Sequence, residues 1–216
     1  MTLLSLNTGR PRDIEWNGGT VRTSIWKSPR QGRLRVTSLN IDGDQQSDLS
    51  VHGGREKAVY VYPSEHYAYW RGELLDTDLP WGVFGENLTT EGLLETDVAI
   101  GDRIRVGSAE FLVTQPRQPC YKLGIRFDRV DMVKRFLISG RSGFYVAVVQ
   151  AGELAAGDSI AFTHRATNSL SVSAIVALRA EGPGTQDALR HASELPDLSG
   201  GWREHFRKRL ADRRET

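Results

Sequence analysis

The chain has 216 residues, 39% of them hydrophobic and 25% charged, with a formal net charge of +1. These are the proportions of an ordinary globular protein, enough for one medium domain with an appendage or for two small domains. The balanced charge gives no bulk electrostatic reason for a nucleic-acid partner or an acidic membrane surface.

Taken in chain order, Met1–Asp13 has a short apolar run but no basic start and no small-residue cleavage site, so no signal peptide is expected. Val21–Trp26 and Leu34–Leu39 read as strands, and the Pro- and Gly-bearing Lys27–Arg33 between them reads as the loop of a hairpin. Ala58–Tyr62 is a β-branched and aromatic strand. Pro63 then opens a helix over Ser64–Leu74, with Glu65 near its positive end. Arg103–Val106 and Glu110–Gln115 are strands flanking a Gly107-Ser108 turn. Asp128–Gly140 has an Asp at its start, apolar residues at helical spacing and a closing Gly, and is expected to be one helix.

Gly143–Gly152 and Asp158–Arg165 complete the strands. One pattern recurs: Gly101-Asp102 and Gly157-Asp158 each precede x-Ile-x-apolar, as Gly-Asp turns feeding strands. Many short strands parted by turn signals predict a closed barrel or a sandwich. After about His164 the character changes. Ser171–Ala180, Thr185–Leu195 and Gly200–Glu215 read as three helices, separated by Gly-Pro-Gly and by a Pro-Asp-Leu-Ser-Gly-Gly stretch. The last is rich in Lys and Arg, which reads either as a solvated face or as a basic binding patch. No apolar stretch approaches the roughly 20 residues that span a bilayer, so no membrane association is expected.

Three segments carry chemistry. In Gly43–Trp70, polar residues run up to His52-Gly53-Gly54, and Arg55 and Lys57 follow the bend. Glycines let the backbone approach a ligand closely, so this is a candidate anion or heterocycle site or a plain Gly-rich turn. In Trp81–Leu93, Glu86, Asn87 and Thr89 stand around a Gly bend and suit oxyanions or ring amides, or form an Asx-type turn. In Thr114–Gly124, Pro116 and Pro119 stiffen the approach to Cys120, the only cysteine, with Arg117 and Lys122 close by. Neighbouring cations favour the thiolate, the form that binds soft metals, although a buried structural thiol is the common alternative. One cysteine excludes an internal disulfide and fits a reducing cytoplasm. The histidines do not cluster at zinc-ligand spacing, and Walker, Rossmann and Gly-x-Ser-x-Gly patterns are missing.

Together, Asp48–Trp70, Phe84–Leu93, Ile100–Phe127 and Gly140–Ile160 resemble the MOSC family (molybdenum cofactor sulfurase C-terminal domain), most closely its YiiM-type members. The resemblance implies a mainly β fold with α: a MOSC β-barrel over 1–165 with peripheral helices, then a three-helix module over 166–216. It implies a molybdenum cofactor (Mo-molybdopterin) with Cys120 as metal ligand and catalytic residue. His52, Lys57, Arg117 and Lys122 are then candidates for anionic cofactor groups, and Asn87 and Thr89 for the ring or phosphate, with Glu86 orienting its neighbours. The implied activity is reduction of small N-hydroxylated substrates, of hydroxylaminopurine or amidoxime type, with electrons from a separate donor protein. A cofactor carrier or sulfur-transfer module stays open as the alternative, as does nucleotide or nucleic-acid binding through the basic tail. The sequence leaves monomer or homodimer open.

Overall fold

The computed structural model describes residues 1–47, 53–180 and 185–212. The strands are β1 Thr2–Thr8, β2 Arg12–Trp16, β3 Gly19–Thr23, β4 Ser28–Pro29, β5 Leu34–Val36 and β6 Val59–Pro63, followed by β7 Leu88–Glu91, β8 Arg103–Val106, β9 Ala109–Pro116, β10 Phe144–Gln150, β11 Gly152–Leu154 and β12 Ile160–His164. The helices are α1 Glu65–Glu73, α2 Tyr121–Phe127, α3 Met132–Ser139, α4 Val172–Arg179, α5 Gln186–Glu194 and α6 Gly200–Asp212. Among the described residues no helix is long and apolar enough to cross a membrane.

Eight strands form one mixed sheet in the order β12-β8-β9-β10-β6-β7-β1-β4. Every pair is antiparallel except β6 and β7, which run parallel through the crossover that contains α1. Among the described residues no continuous ladder closes the sheet into the expected barrel. Instead an isolated bridge, Thr2 to Ser159, ties the start of β1 to the approach to β12, with Leu3 N donating to Asp158 O at 3.0 Å and Ile160 N to Met1 O at 2.9 Å.

The expected hairpin between Val21–Trp26 and Leu34–Leu39 does not form. β3 pairs with β2 across Asn17-Gly18, both at positive φ (50° and 77°), the conformation a two-residue turn matched to strand twist requires. β5 pairs with β11. The helix expected over Asp128–Gly140 likewise begins later than its sequence signal, as α3 at Met132. Asp128 is the left-handed C-cap of α2 (φ 50°) and not an N-cap; α3 begins after Asp131 and ends at the left-handed Gly140, as expected. The three tail helices form where the sequence places them.

Strand alternation divides the interior. Val59 and Val61 of β6 join a large apolar cluster with Leu3, Leu6, Phe111 and Val146, and Val172, Ile175, Leu189, Trp202 and Phe206 of the tail helices belong to the same cluster. Tyr60 and Tyr62 point the other way, into an aromatic cluster under α1, α2 and α3 with Tyr67, Trp70, Phe84 and Phe136. The Trp70 indole N–H there donates to Tyr62 Oη at 2.7 Å, so the ring is buried without an orphaned donor.

The recurrent Gly-Asp pattern builds two equivalent turns that feed β8 and β12, and these strands pair. Asp102 accepts from Ala99 N and Asp158 from Ala155 N, each three residues back, at 2.8 and 2.9 Å. Asp102 is fully buried and also accepts from Ala166 N at 2.8 Å. A hydrogen bond to a charged acceptor contributes about 1.5–3 kcal/mol, and orphaning buried N–H groups adds to the loss. Asp102→Ala should therefore cost about 2–4 kcal/mol, clearly more than Asp158→Ala; equal urea midpoints for the two variants would contradict this ranking.

Candidate functional site

The thiol is positioned by a strand that stops and a helix that starts. β9 ends at Pro116, and the loop Arg117–Pro119 leads to Cys120, the extended N-cap residue of α2 (φ −127°, ψ 174°). Two cavities meet at this residue. The first, about 110 Å³, lies between the Cys120 loop and the segment Asp44–Ser47. The second, about 550 Å³, lies between Cys120 and the tail helices. Cys120, Lys57, Gln118 and Tyr145 line both.

Cysteine 120, Lys57, Asn87, Arg117 and Lys122, all expected from the sequence, line the first cavity together. Lys57 ends a 3-10 turn, Arg55–Lys57, that begins at Gly54 (φ 97°). Lys122 rides on α2 and is buried. The Asn87 amide accepts from Tyr60 N at 3.1 Å and donates to Asn7 O at 3.2 Å and to Asp44 at 2.9 Å. Gly85 makes room for the wall: it sits at φ 84°, and a Cβ there would lie 2.9 Å from Ile25 Cγ1. His52 lies outside the described residues.

Sequence reasoning missed Lys27, Asp44, Gln46 and Tyr145, which also line this cavity. Lys27 and Asp44 form a buried ion pair, and Asp44 also accepts from Gly9 N at 2.8 Å. Among the described residues, four cationic side chains against one carboxylate, itself paired, leave the wall positive and suited to an anionic ligand.

Two of the expected residues stand one layer behind the wall. Glu86 is fully buried and accepts from Gly82 N (2.8 Å), Phe84 N (3.1 Å), Thr89 Oγ1 (3.0 Å) and the Tyr67 hydroxyl. Thr89 in turn accepts from Asn7 Nδ2 at 3.0 Å. This network holds the bend that presents Gly85 and Asn87. Burial raises the Glu86 pKa above its ordinary value, against the lowering effect of the Tyr67 hydroxyl and the backbone donors. The native state thus holds this proton more tightly than the unfolded chain. Its stabilising contribution is present below the ordinary Glu pKa and lost as pH rises through the raised one. Relative to wild type, the urea midpoint of Glu86→Gln should therefore improve as pH rises from the usual Glu range toward neutrality. A midpoint difference that does not change with pH would contradict the raised pKa.

Arg117 is a buried cation that interacts with the Cys120 sulfur. Its guanidinium lies 4.8 Å from the Tyr60 ring centroid and 5.2 Å from that of Phe136, and donates to Tyr60 Oη at 3.4 Å. Burial alone would lower its pKa; attraction to the oxygens of Tyr60 and Tyr145 and to the Cys120 sulfur outweighs this and raises it. The attraction is mutual, so Arg117 favours the Cys120 thiolate. Iodoacetamide labelling of Arg117→Gln should show its pH inflection above that of wild type, with thermal melting as the check on folding. Coincident inflections would remove Arg117 from the control of the thiol. Among the described residues no three His, Cys, Asp or Glu side chains gather as metal ligands. A metal held at Cys120 would need the rest of its ligands from an organic cofactor, and a soft thiolate beside a cationic cavity fits such a group.

Comparison with known proteins gives this arrangement its relatives. Residues 48–161 match the MOSC domain and residues 170–213 the YiiM-like, 3-alpha helix domain. The chain is 38% identical over 208 residues to the uncharacterized protein YflK of Bacillus subtilis, covering 96% of this chain and 94% of that one. It is 35% identical over 155 residues to a protein of Gibberella moniliformis named "Reductase", covering 68% of this chain but only 27% of the fungal protein. The crystal structure of YiiM from Geobacillus stearothermophilus superposes with a TM-score of 0.82 at 34% identity, covering 97% of this chain and 98% of that one. A MOSC match over more than half of the residues, with YflK and the Geobacillus YiiM matched at nearly full length, places the chain in the MOSC domain family, with a YiiM-like three-helix domain following it.

Proposed function

We propose that the chain binds a molybdenum cofactor through the Cys120 thiolate and acts as an oxidoreductase that reduces N-hydroxylated compounds, of hydroxylaminopurine or amidoxime type. The observation that carries this reading is the position of Cys120 at the junction of two cavities, a small cationic one and a larger one. MOSC membership and the fungal relative named "Reductase" support it. The bridge from Thr2 to Ser159 is in keeping with a barrel-type MOSC scaffold around the site.

The bound cofactor would supply the two-electron chemistry. The chain's own part is to hold the thiolate beside Arg117, and to offer Lys27, Lys57, Arg117 and Lys122 to the cofactor's anionic groups and Asn87 to its polar ring. Reduction of R–NHOH to R–NH₂ and water consumes two electrons and two protons. The electrons come from a separate donor protein, and the second cavity admits the substrate. A carrier or sulfur-transfer role would use the same thiol and the same cationic wall. It would leave the larger cavity without a task, which favours turnover.

The test is metal content. Protein purified from cells that make the cofactor should carry molybdenum by mass spectrometry, and Cys120→Ala should lose most of it. The wild-type protein should then reduce 6-N-hydroxylaminopurine with a chemical electron donor. Wild-type protein without molybdenum would overturn the reading; metal without turnover would favour the carrier role.

A further inference from the structure

The second cavity is walled on the tail side by Arg179 of α4 and by Trp202 and His205 of α6, and on the sheet side by Glu56, Lys57, Gln115 and Tyr145. Arg179 has no carboxylate partner among the described residues; its guanidinium carbon lies 5.0 Å from the Trp202 ring centroid. Burial lowers its pKa, and repulsion from Arg209 lowers it further. His205 is pushed down too, by burial and then by Arg179 and Arg209. Arg209 donates to the Leu178 carbonyl, which pins it beside the end of α4. Arg179 and Arg209 on adjoining helices therefore repel each other and disfavour a charge on His205, and an arriving anion would relieve the repulsion between the two guanidinium groups.

A separate observation concerns hydrogen bonds. Gln115 is 3% exposed, and its Oε1 has no partner. The Nε2 of His205 is likewise buried and unpartnered. Unpartnered buried polar atoms are rare and costly. Both residues line this cavity, so its wall carries an amide and an imidazole whose hydrogen bonding within the protein is incomplete, side chains of a kind suited to the edge of a nitrogen heterocycle. The cavity volume, about 550 Å³, is that of a small-ligand pocket.

We propose that this cavity is the substrate chamber and that it takes an anionic nitrogen heterocycle, a nucleotide in preference to a free base, with the negative group on Arg179 and the ring edge on Gln115 and His205. What happens to such a ligand rests on the reductase reading; its binding does not. In this arrangement the helical tail discriminates between substrates, and Arg179 is a specificity residue.

Calorimetric titration of the full chain, expressed in cells unable to make the cofactor, tests this with three probes: adenosine 5′-monophosphate, adenosine and inorganic phosphate. The monophosphate should bind about tenfold more tightly than either of the others. In Arg179→Gln its advantage over adenosine should vanish while adenosine affinity stays within about twofold, and Gln115→Leu should weaken both adenosine compounds. Equal affinities for monophosphate and adenosine in the wild type, or an advantage that survives Arg179→Gln, overturns the proposal. So does phosphate binding as tightly as the monophosphate, which would leave an anion site without ring recognition. No molybdenum enters the measurement, so its failure and a failure of the metal-content test are separately visible.

Discussion

The structure turns on strand β6, which is buried on both faces. Val59 and Val61 fill the large apolar core, and Tyr60 and Tyr62 fill the aromatic one. A slip of one residue would exchange the two sets and place phenol hydroxyls in a core lined by Leu, Val and Ile. The register is fixed on both sides: Tyr145 of β10 pairs with Tyr60, and Leu88 of β7 pairs in parallel with Val61. Because Tyr60 faces the aromatic side in this register, its ring lies against the Arg117 guanidinium. The placement of the Cys120 loop follows from the pleat of one strand.

That placement makes Arg117 a constraint in its own right. A buried guanidinium is tolerated only when the interior supplies compensation. Here two aromatic faces, one hydroxyl and a nearby sulfur provide it, with no carboxylate ion-paired to it among the described residues. Cation–π contacts contribute about 0.5–2 kcal/mol each and do not replace a full counter-charge. A thiolate at Cys120 would therefore do two things at once: complete the electrostatics of a buried cation and, under the proposed reading, serve as a soft ligand. Arginine suits this position better than lysine, since a flat, delocalised cation stacks on rings that a compact ammonium would only touch.

Much of this was legible in the sequence. The β-branched and aromatic run of β6, the Gly-Asp echo, the three tail helices and the proline-flanked thiol all carry local signals. The misreadings share a cause: local signals with two meanings. Asn17-Gly18 is a strong hairpin turn, but the proline and glycine of Lys27–Arg33 drew the hairpin downstream. Asp128 resembles an N-cap, yet its left-handed φ of 50° closes α2. Glu86 and Thr89 belong to a motif that forms the site, but their hydrogen bonds point back into the bend. Lys27, Asp44 and Tyr145 reach the cavity only through long-range pairing, which one-dimensional patterns do not encode.

The two family segments meet at the site, and the way they meet bears on what each contributes. The thiol and three cations of the wall, Lys57, Arg117 and Lys122, come from the matched MOSC segment, while Lys27 precedes it; Arg179, Trp202 and His205 come from the helical one. The helices are not loosely tethered, because Val172, Ile175, Leu189 and Phe206 share one core with Leu3 and Phe111. Opening the second cavity by swinging them away would expose that apolar surface, at about 25 cal/mol per Å². The cavity is therefore a fixed chamber and not a transient gap between domains. A chamber whose far wall is held by core packing can discriminate between ligands by charge and shape before they reach the thiol. Under the proposed reading the MOSC segment would determine what chemistry takes place at Cys120, and the helical segment which molecule undergoes it.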